Sequence, residues 1–199
     1  MSFDDQQYSV PNFYSFFINE KLTDCSIMIK RLEEELHNKS KRVANENMVT
    51  EFKVHRIILS AQSPIFYAMF CNSFLEQNQT IIHLSNIDAS VFKIFIAFCY
   101  SNDISRSLLQ IEVFNLYEMS LRFQTHKLTV ICSKNMIDNL SLENVIVSLE
   151  FSLKYKMVEF EQKCLRLIAF NKNEMKTQEE WISFIKNHPE LTFKILHFL

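Results

Sequence analysis

The chain has 199 residues, 48% hydrophobic and 22% charged, with 19 Phe, 5 Cys, 6 His, a formal net charge of −2 and no Gly. Average usage of about 7% would give roughly 14 glycines at this length, and loops that bring backbone N–H groups against phosphate need residues without a Cβ. A P-loop, a dinucleotide fingerprint, a G-x-S-x-G elbow and a regular EF-hand loop are thereby excluded, and the near-neutral charge offers no basic face for nucleic acid.

In chain order, residues 12–22 carry Phe13, Phe16, Phe17 and Ile18 at helical spacing and read as a short amphipathic helix with an aromatic face. Cys25 to Lys30 is a short strand. Residues 31–50 change character, with Glu33, Glu34, Glu35, Lys39, Lys41 and Arg42 set among Asn and Ser, and read as a solvated insertion. Glu51 to Val54 returns to strand composition with Phe52 and Val54 on one face, and His55 to Gln62 reads as helix. Ser63-Pro64 opens another helix, Ser as N-cap and Pro at the first helical position, followed by Ile65, Phe66, Met69 and Phe70. Residues 80–84 form a third strand.

From Asp88 onward the pattern is helical. Ala89 to Tyr100 is apolar nearly all round, as expected of a helix buried in the middle of a domain. Phe114, Tyr117 and Leu121 mark the next helix, and Leu128, Ile131, Cys132 and Met136 the one after. Ser141 opens a helix with the stripe Leu142, Val145, Ile146, Leu149 and Leu153, and Phe160, Cys164, Leu167 and Ile168 define a further one. Thr177 to Glu180 reads as a capping box before Trp181, Phe184 and Ile185, and Pro189 starts a last helix through Leu191, Ile195 and Phe198. Turns that need φ > 0 must use residues other than glycine, with Asn38, Asn78, Asn86, Asn102, Asn139 and Asn171 as the candidates.

Catalytic chemistry is not indicated. Cys25, Cys71, Cys99, Cys132 and Cys164 are widely spaced, form no C-x-x-C, and read as small buried hydrophobes of a reducing compartment. His37, His83, His126, His188 and His197 show no metal-ligand spacing, so neither a metal nor another cofactor is implied. The acidic start Met1-Ser2-Phe3-Asp4-Asp5 lacks the features of a secretory signal. The apolar run from Ile94 to Tyr100 is far short of the roughly 18 residues of a membrane span. A cytoplasmic or nuclear location is expected.

Thr23-Asp24-Cys25, then Phe52-Lys53-Val54-His55-Arg56-Ile57-Ile58-Leu59-Ser60-Ala61-Gln62-Ser63-Pro64-Ile65-Phe66 with Met69-Phe70 following, resembles the signature of the BTB/POZ domain family. The likeness continues through Asp88, Val91-Phe92 and Phe98-Cys99-Tyr100. Beyond the domain, Asn139-Leu140-Ser141-Leu142-Glu143-Asn144 and His188-Pro189 look like the three-box and short BACK segment of the speckle-type POZ protein group. The resemblance implies an α+β fold, a short three-stranded sheet flanked by helices, with an all-helical extension. Residues 1–22 would hold a dimerisation helix, 23–138 the BTB/POZ domain with its polar insertion at 31–50, and 139–199 the three-box/BACK-like extension. The MATH domain of speckle-type proteins has no counterpart in the roughly 20 residues before the signature.

The same resemblance implies a non-catalytic, dimeric adaptor that bridges a cullin-3 ubiquitin ligase to another protein. Phe13, Phe16, Phe17 and Ile58 match the dimer interface. Phe74-Leu75-Glu76 stands where cullin-3 adaptors carry a hydrophobic-x-Glu motif, and Tyr100 is a further candidate cullin contact. Asp24 and Arg56 match a structural charged pair. The alternatives are a self-association or corepressor-type scaffold without ligase binding, and a partner that forms heterodimers with a full-length BTB relative.

Overall fold

Cys25, Ile27 and Ile29 alternate with Ser26, Met28 and Lys30, and this period of two places the first three in the core as strand β1 (Cys25–Lys30). The computed structural model describes residues 13–30, 49–71 and 80–196. β1 is the centre of a three-stranded sheet of order β2-β1-β3. β2 (Val49–Val54) runs antiparallel to it, with Ile27 opposite Phe52 and Cys25 opposite Val54. β3 (Ile81–Leu84) runs parallel to it, with Ile27 opposite Ile82 and Ile29 opposite Leu84. β2 starts two residues earlier than its composition suggests: Val49 and Thr50 pair with Lys30 and Ile29, so those positions belong to the sheet rather than to the insertion. Residues 31–48 lie outside the described residues.

The chain divides into two compact units between Thr129 and Val130. In the first, α1 (Phe13–Ile18) precedes β1, and α2 (Arg56–Gln62) and α3 (Pro64–Cys71) follow β2. The break between α2 and α3 is fixed by Ser63, whose buried hydroxyl accepts the Phe66 N–H and donates to the Phe123 carbonyl. α4 (Ala89–Ser101) begins where Asp88 Oδ1 accepts the Ser90 and Val91 N–H groups at 2.7 and 2.9 Å. It buries Val91, Phe92, Phe95, Ile96, Phe98, Cys99 and Tyr100. α5 (Arg106–Arg122) buries Leu109, Val113, Leu116, Tyr117, Met119 and Ser120. That stripe differs from the expected Phe114, Tyr117 and Leu121: Tyr117 is common to both, whereas Phe114 is half-buried and Leu121 exposed. Phe66, Phe92, Phe95 and Phe123 build an aromatic core, with Phe66 and Phe123 stacked at 4.6 Å and 3° and Phe95 stacked on Phe123 at 5.1 Å.

α6 (His126–Asp138) follows, burying Leu128, Cys132 and Met136 at four-residue spacing. The second unit holds α7 (Val145–Lys154), α8 (Val158–Phe170), α9 (Lys172–Met175), α10 (Glu179–Asn187) and α11 (Glu190–Leu196). α7 and α8 pack together, with α11 on α8 and α10 on α7. Ser141 does not open α7. Asn144 Oδ1 accepts the Ser141 N–H at 3.0 Å and Asn144 Nδ2 donates to the Asn139 carbonyl at 2.9 Å, which builds a turn, and the helix starts at Val145. The capping box at Thr177 is likewise absent. The Thr177 hydroxyl donates to the Glu174 carbonyl at 2.7 Å, and Gln178 is the residue before α10.

Six described residues have positive φ, and they are Glu20, Leu22, Asn86, Asn102, Gln124 and Lys156. Asn86 and Asn102 are among the expected asparagines, and Asn102 (φ 57°) ends α4 as a glycine would. Asn38 and Asn78 lie outside the described residues, and Asn171 has φ −112°. Gln124 and Lys156 close α5 and α7 through paired bonds, Thr125 N–H to Ser120 and Gln124 N–H to Leu121, then Met157 N–H to Ser152 and Lys156 N–H to Leu153. Each occupies the left-handed position of a Schellman end, where a Cβ costs about 1–2 kcal/mol and glycine costs only chain entropy. Lys156→Gly is therefore expected to raise stability by about 0.5–1 kcal/mol. Urea unfolding followed by Trp181 fluorescence reads this directly, and a lower midpoint would contradict it.

Candidate protein-interaction surface

Four apolar side chains on α1 and α2 decide what this face can do. α1 is amphipathic as its spacing requires: Phe13 and Ile18 are exposed, Phe16 is half-buried, and Phe17 is buried against its own domain. Phe17 stacks on the Tyr100 ring with centroids 5.1 Å apart, so its ring packs on its own domain. On α2, Ile57 is exposed, at 75%, whereas Ile58 is half-buried. Phe13, Ile18 and Ile57 are thus exposed and Phe16 half-buried. The α1 and α2 ends are joined by Phe16, whose ring meets the His55 ring edge-on at 6.3 Å.

Tyr100, the candidate cullin contact, is 5% exposed. Its hydroxyl accepts the His55 backbone N–H at 2.8 Å and lies 2.6 Å from His55 Nδ1, while His55 Nε2 lies 2.7 Å from the Lys21 carbonyl. This pairing escaped sequence reading, although both residues stand in the recognised motifs. Asp24 Oδ1 accepts the Arg56 backbone N–H at 2.8 Å and so caps α2, whose N-cap His55 makes no side-chain cap bond. The Arg56 guanidinium lies over the Phe70 ring, 5.7 Å from its centroid. Asp24 and Arg56 therefore meet at the start of α2, where the carboxylate complements the helix N-terminus. Phe74, Leu75 and Glu76 lie outside the described residues.

Among the described residues no group of His, Cys, Asp and Glu side chains could hold a metal ion, and no helix is long and apolar enough to cross a membrane. Cys25, Cys99, Cys132 and Cys164 are buried and Cys71 is exposed. Burial pushes the Cys99, Cys132 and Cys164 thiols and the Tyr100 hydroxyl up to about 12, the opposite of what a nucleophilic thiolate requires. Groups raised in this way hold their protons longer in the folded state. Their contribution is complete below the ordinary values of 9.0 and 10.0 and is lost as pH rises toward about 12. The urea midpoint should accordingly fall steadily from pH 9 to 12 and recover on return to pH 8, and a flat profile would contradict this.

Comparison with known proteins places these features. The family model described as BTB/POZ domain matches residues 13–140. TD and POZ domain-containing protein 4 of Mus musculus is 26% identical over 181 residues, covering 91% of this chain and 44% of that protein. TD and POZ domain-containing protein 1 of Mus musculus is 28% identical over 141 residues, covering 71% of this chain and 39% of that protein. Kelch repeat and BTB domain-containing protein 2 of Homo sapiens is 29% identical over 119 residues, covering 60% and 19%. The chain thus spans less than half the length of each of these curated relatives. The matched segment takes in α1, the whole β2-β1-β3 sheet and the helices through α6, so the chain belongs to the BTB/POZ domain family.

Proposed function

We propose that this BTB/POZ protein-interaction module is a self-associating adaptor that docks a cullin-3 class ubiquitin ligase scaffold. The observation that carries the reading is the BTB/POZ match over residues 13–140, in a family whose members are in general non-catalytic interaction modules. Self-association draws further support from the exposed Phe13 and Ile57 on α1 and α2, since aromatic and aliphatic anchors on one face suit a two-fold interface. Cullin docking draws support from the position of Phe74-Leu75-Glu76, directly after the helix that carries Met69-Phe70. There Phe74 would fill an apolar pocket and Glu76 would accept a hydrogen bond. The relatives named for Kelch repeats and a BTB domain pair this module with a second one, and residues 139–199 would act here as a three-box/BACK-like extension. Such a role belongs in the cytoplasm or nucleus.

The test is capture of the recombinant cullin-3 N-terminal region by the full chain. Binding is expected, with Phe74→Ala and Glu76→Ala each weakening it at least about tenfold, as for anchor residues of an interface. Binding unaffected by both substitutions would remove the assigned site. No binding by the unaltered chain would remove the adaptor reading and leave the self-association scaffold.

A further inference from the structure

We infer that His55 and Tyr100 are a positioning pair that clasps α1 to the domain and so presets the α1–α2 face before a second copy arrives; this rests on the self-association reading above. α1 has six residues, and a helix that short does not persist in water without tertiary support. α1 packs on α4, and three of its ties meet at these two side chains. The Phe17 ring stacks on Tyr100, the Phe16 ring meets His55, and the Lys21 carbonyl, just beyond the helix, reaches His55 Nε2. A further tie, Lys53 to Glu20 at 2.8 Å, is between exposed groups and contributes little.

The hydrogen-bond inventory makes the pair a unit. A carbonyl only accepts, so His55 Nε2 carries the proton donated to Lys21. In the neutral imidazole with that proton on Nε2, Nδ1 accepts the Tyr100 O–H, while the Tyr100 oxygen accepts the His55 backbone N–H. The imidazole orientation is therefore set at one edge by Tyr100 and used at the other to hold Lys21. Glu20 and Leu22, on either side of Lys21, have φ of 49° and 60°. Glu20 takes that backbone from the paired bonds that close α1, Lys21 N–H to Phe16 and Glu20 N–H to Phe17, and the Lys21 carbonyl bond to His55 helps hold the chain at Leu22.

The consequence is for association more than for folding. A two-fold interface uses α1 of both copies. If the docked fraction of α1 falls from near one to a tenth, the dimer weakens by about a hundredfold, because the competent fraction enters twice. Tyr100→Phe keeps the ring on which Phe17 stacks and removes only the hydroxyl. His55→Asn keeps an acceptor near the Nδ1 position and removes the reach to Lys21.

The experiment uses the full chain and two readouts, sedimentation for the dimer constant and amide exchange resolved by segment. In Tyr100→Phe, the Phe16–Leu22 amides should lose nearly all protection, as a largely undocked α1 requires, while the interior amides of β1 and α4 keep wild-type protection, and the dimer should weaken about a hundredfold. His55→Asn should reproduce both changes. Should Tyr100→Phe lose protection throughout, His55→Asn alone decides. Exchange of residues 16–22 and a dimer constant both within twofold of wild type, in a wild-type chain that does dimerise, would overturn the clasp. A monomeric wild type at micromolar concentration would instead overturn the self-association reading, and the clasp with it.

Discussion

Replacing Phe66 with alanine should lower the stability of the first unit by about 3–5 kcal/mol, against the 5–15 kcal/mol that typically holds a domain together. Phe66 is fully buried and its ring is shared. It stacks on Phe123 at 4.6 Å, on Phe70 at 5.8 Å and lies 6.5 Å from Phe95, so its loss opens a cavity walled by rings that cannot close around it without leaving their rotamers. The backbone beneath is pinned as well, because the Phe66 N–H donates to Ser63 Oγ, which is tied in turn to the Phe123 carbonyl. Phe66→Leu keeps most of the volume and should cost less than half as much. Trp181 sits in the second unit, so the measurement must follow the first unit directly, through the denaturant dependence of α4 amide exchange. A Phe66→Ala variant within 1 kcal/mol of wild type, a small change on the scale of core truncations, would show that this stack is not the centre of the core.

What could be read in the sequence divides along physical lines. β1 and α4 were legible because local pattern and tertiary outcome agree: Ile27 and Ile29 alternate, Asp88 caps, and the Ala89–Tyr100 run exposes only Ser90 and Lys93. The core face of α5 was misread because it includes a serine. Ser120 is fully buried, with its hydroxyl donated to the Tyr117 carbonyl at 2.7 Å, so a stripe counted in apolar residues slides onto Phe114 and Leu121 instead. The same holds in α7, where Ser148 and Ser152 are buried and Ser152 donates to the Leu149 carbonyl at 2.7 Å. Small hydroxyls satisfied by their own helix let neighbouring elements approach, and hydropathy does not register them. The candidate surface depends on a related piece of long-range information. Spacing shows that α1 has an aromatic face, yet which of Phe13, Phe16 and Phe17 turns inward depends on Tyr100, far along the chain, and on its bond to His55. Left-handed backbone at Glu20, Gln124 and Lys156 follows from helix ends whose paired bonds demand it, whatever residue stands there.

Phe13→Asp and Ile57→Asp should each convert the self-associated chain to monomer at micromolar concentration. Both residues are exposed, Phe13 at 63% and Ile57 at 75%, so a carboxylate at either position has little effect on the fold of the single chain. At a two-fold interface every substitution is made twice. An anchor truncated in such a face costs about 2 kcal/mol per copy, and a charge buried there costs more. Two copies therefore remove about 4 kcal/mol, or roughly a thousandfold in the dimer constant, enough to carry a nanomolar dimer into the micromolar range. Phe193, 78% exposed on α11 in the second unit, provides the control: Phe193→Asp introduces the same charge on an equally exposed aromatic and should leave the sedimentation coefficient unchanged. The three variants locate the interface between them. A dimer that survives Phe13→Asp and Ile57→Asp but not Phe193→Asp would move self-association from α1 and α2 to the helical extension, and the clasp on α1 would then have no interface to preset.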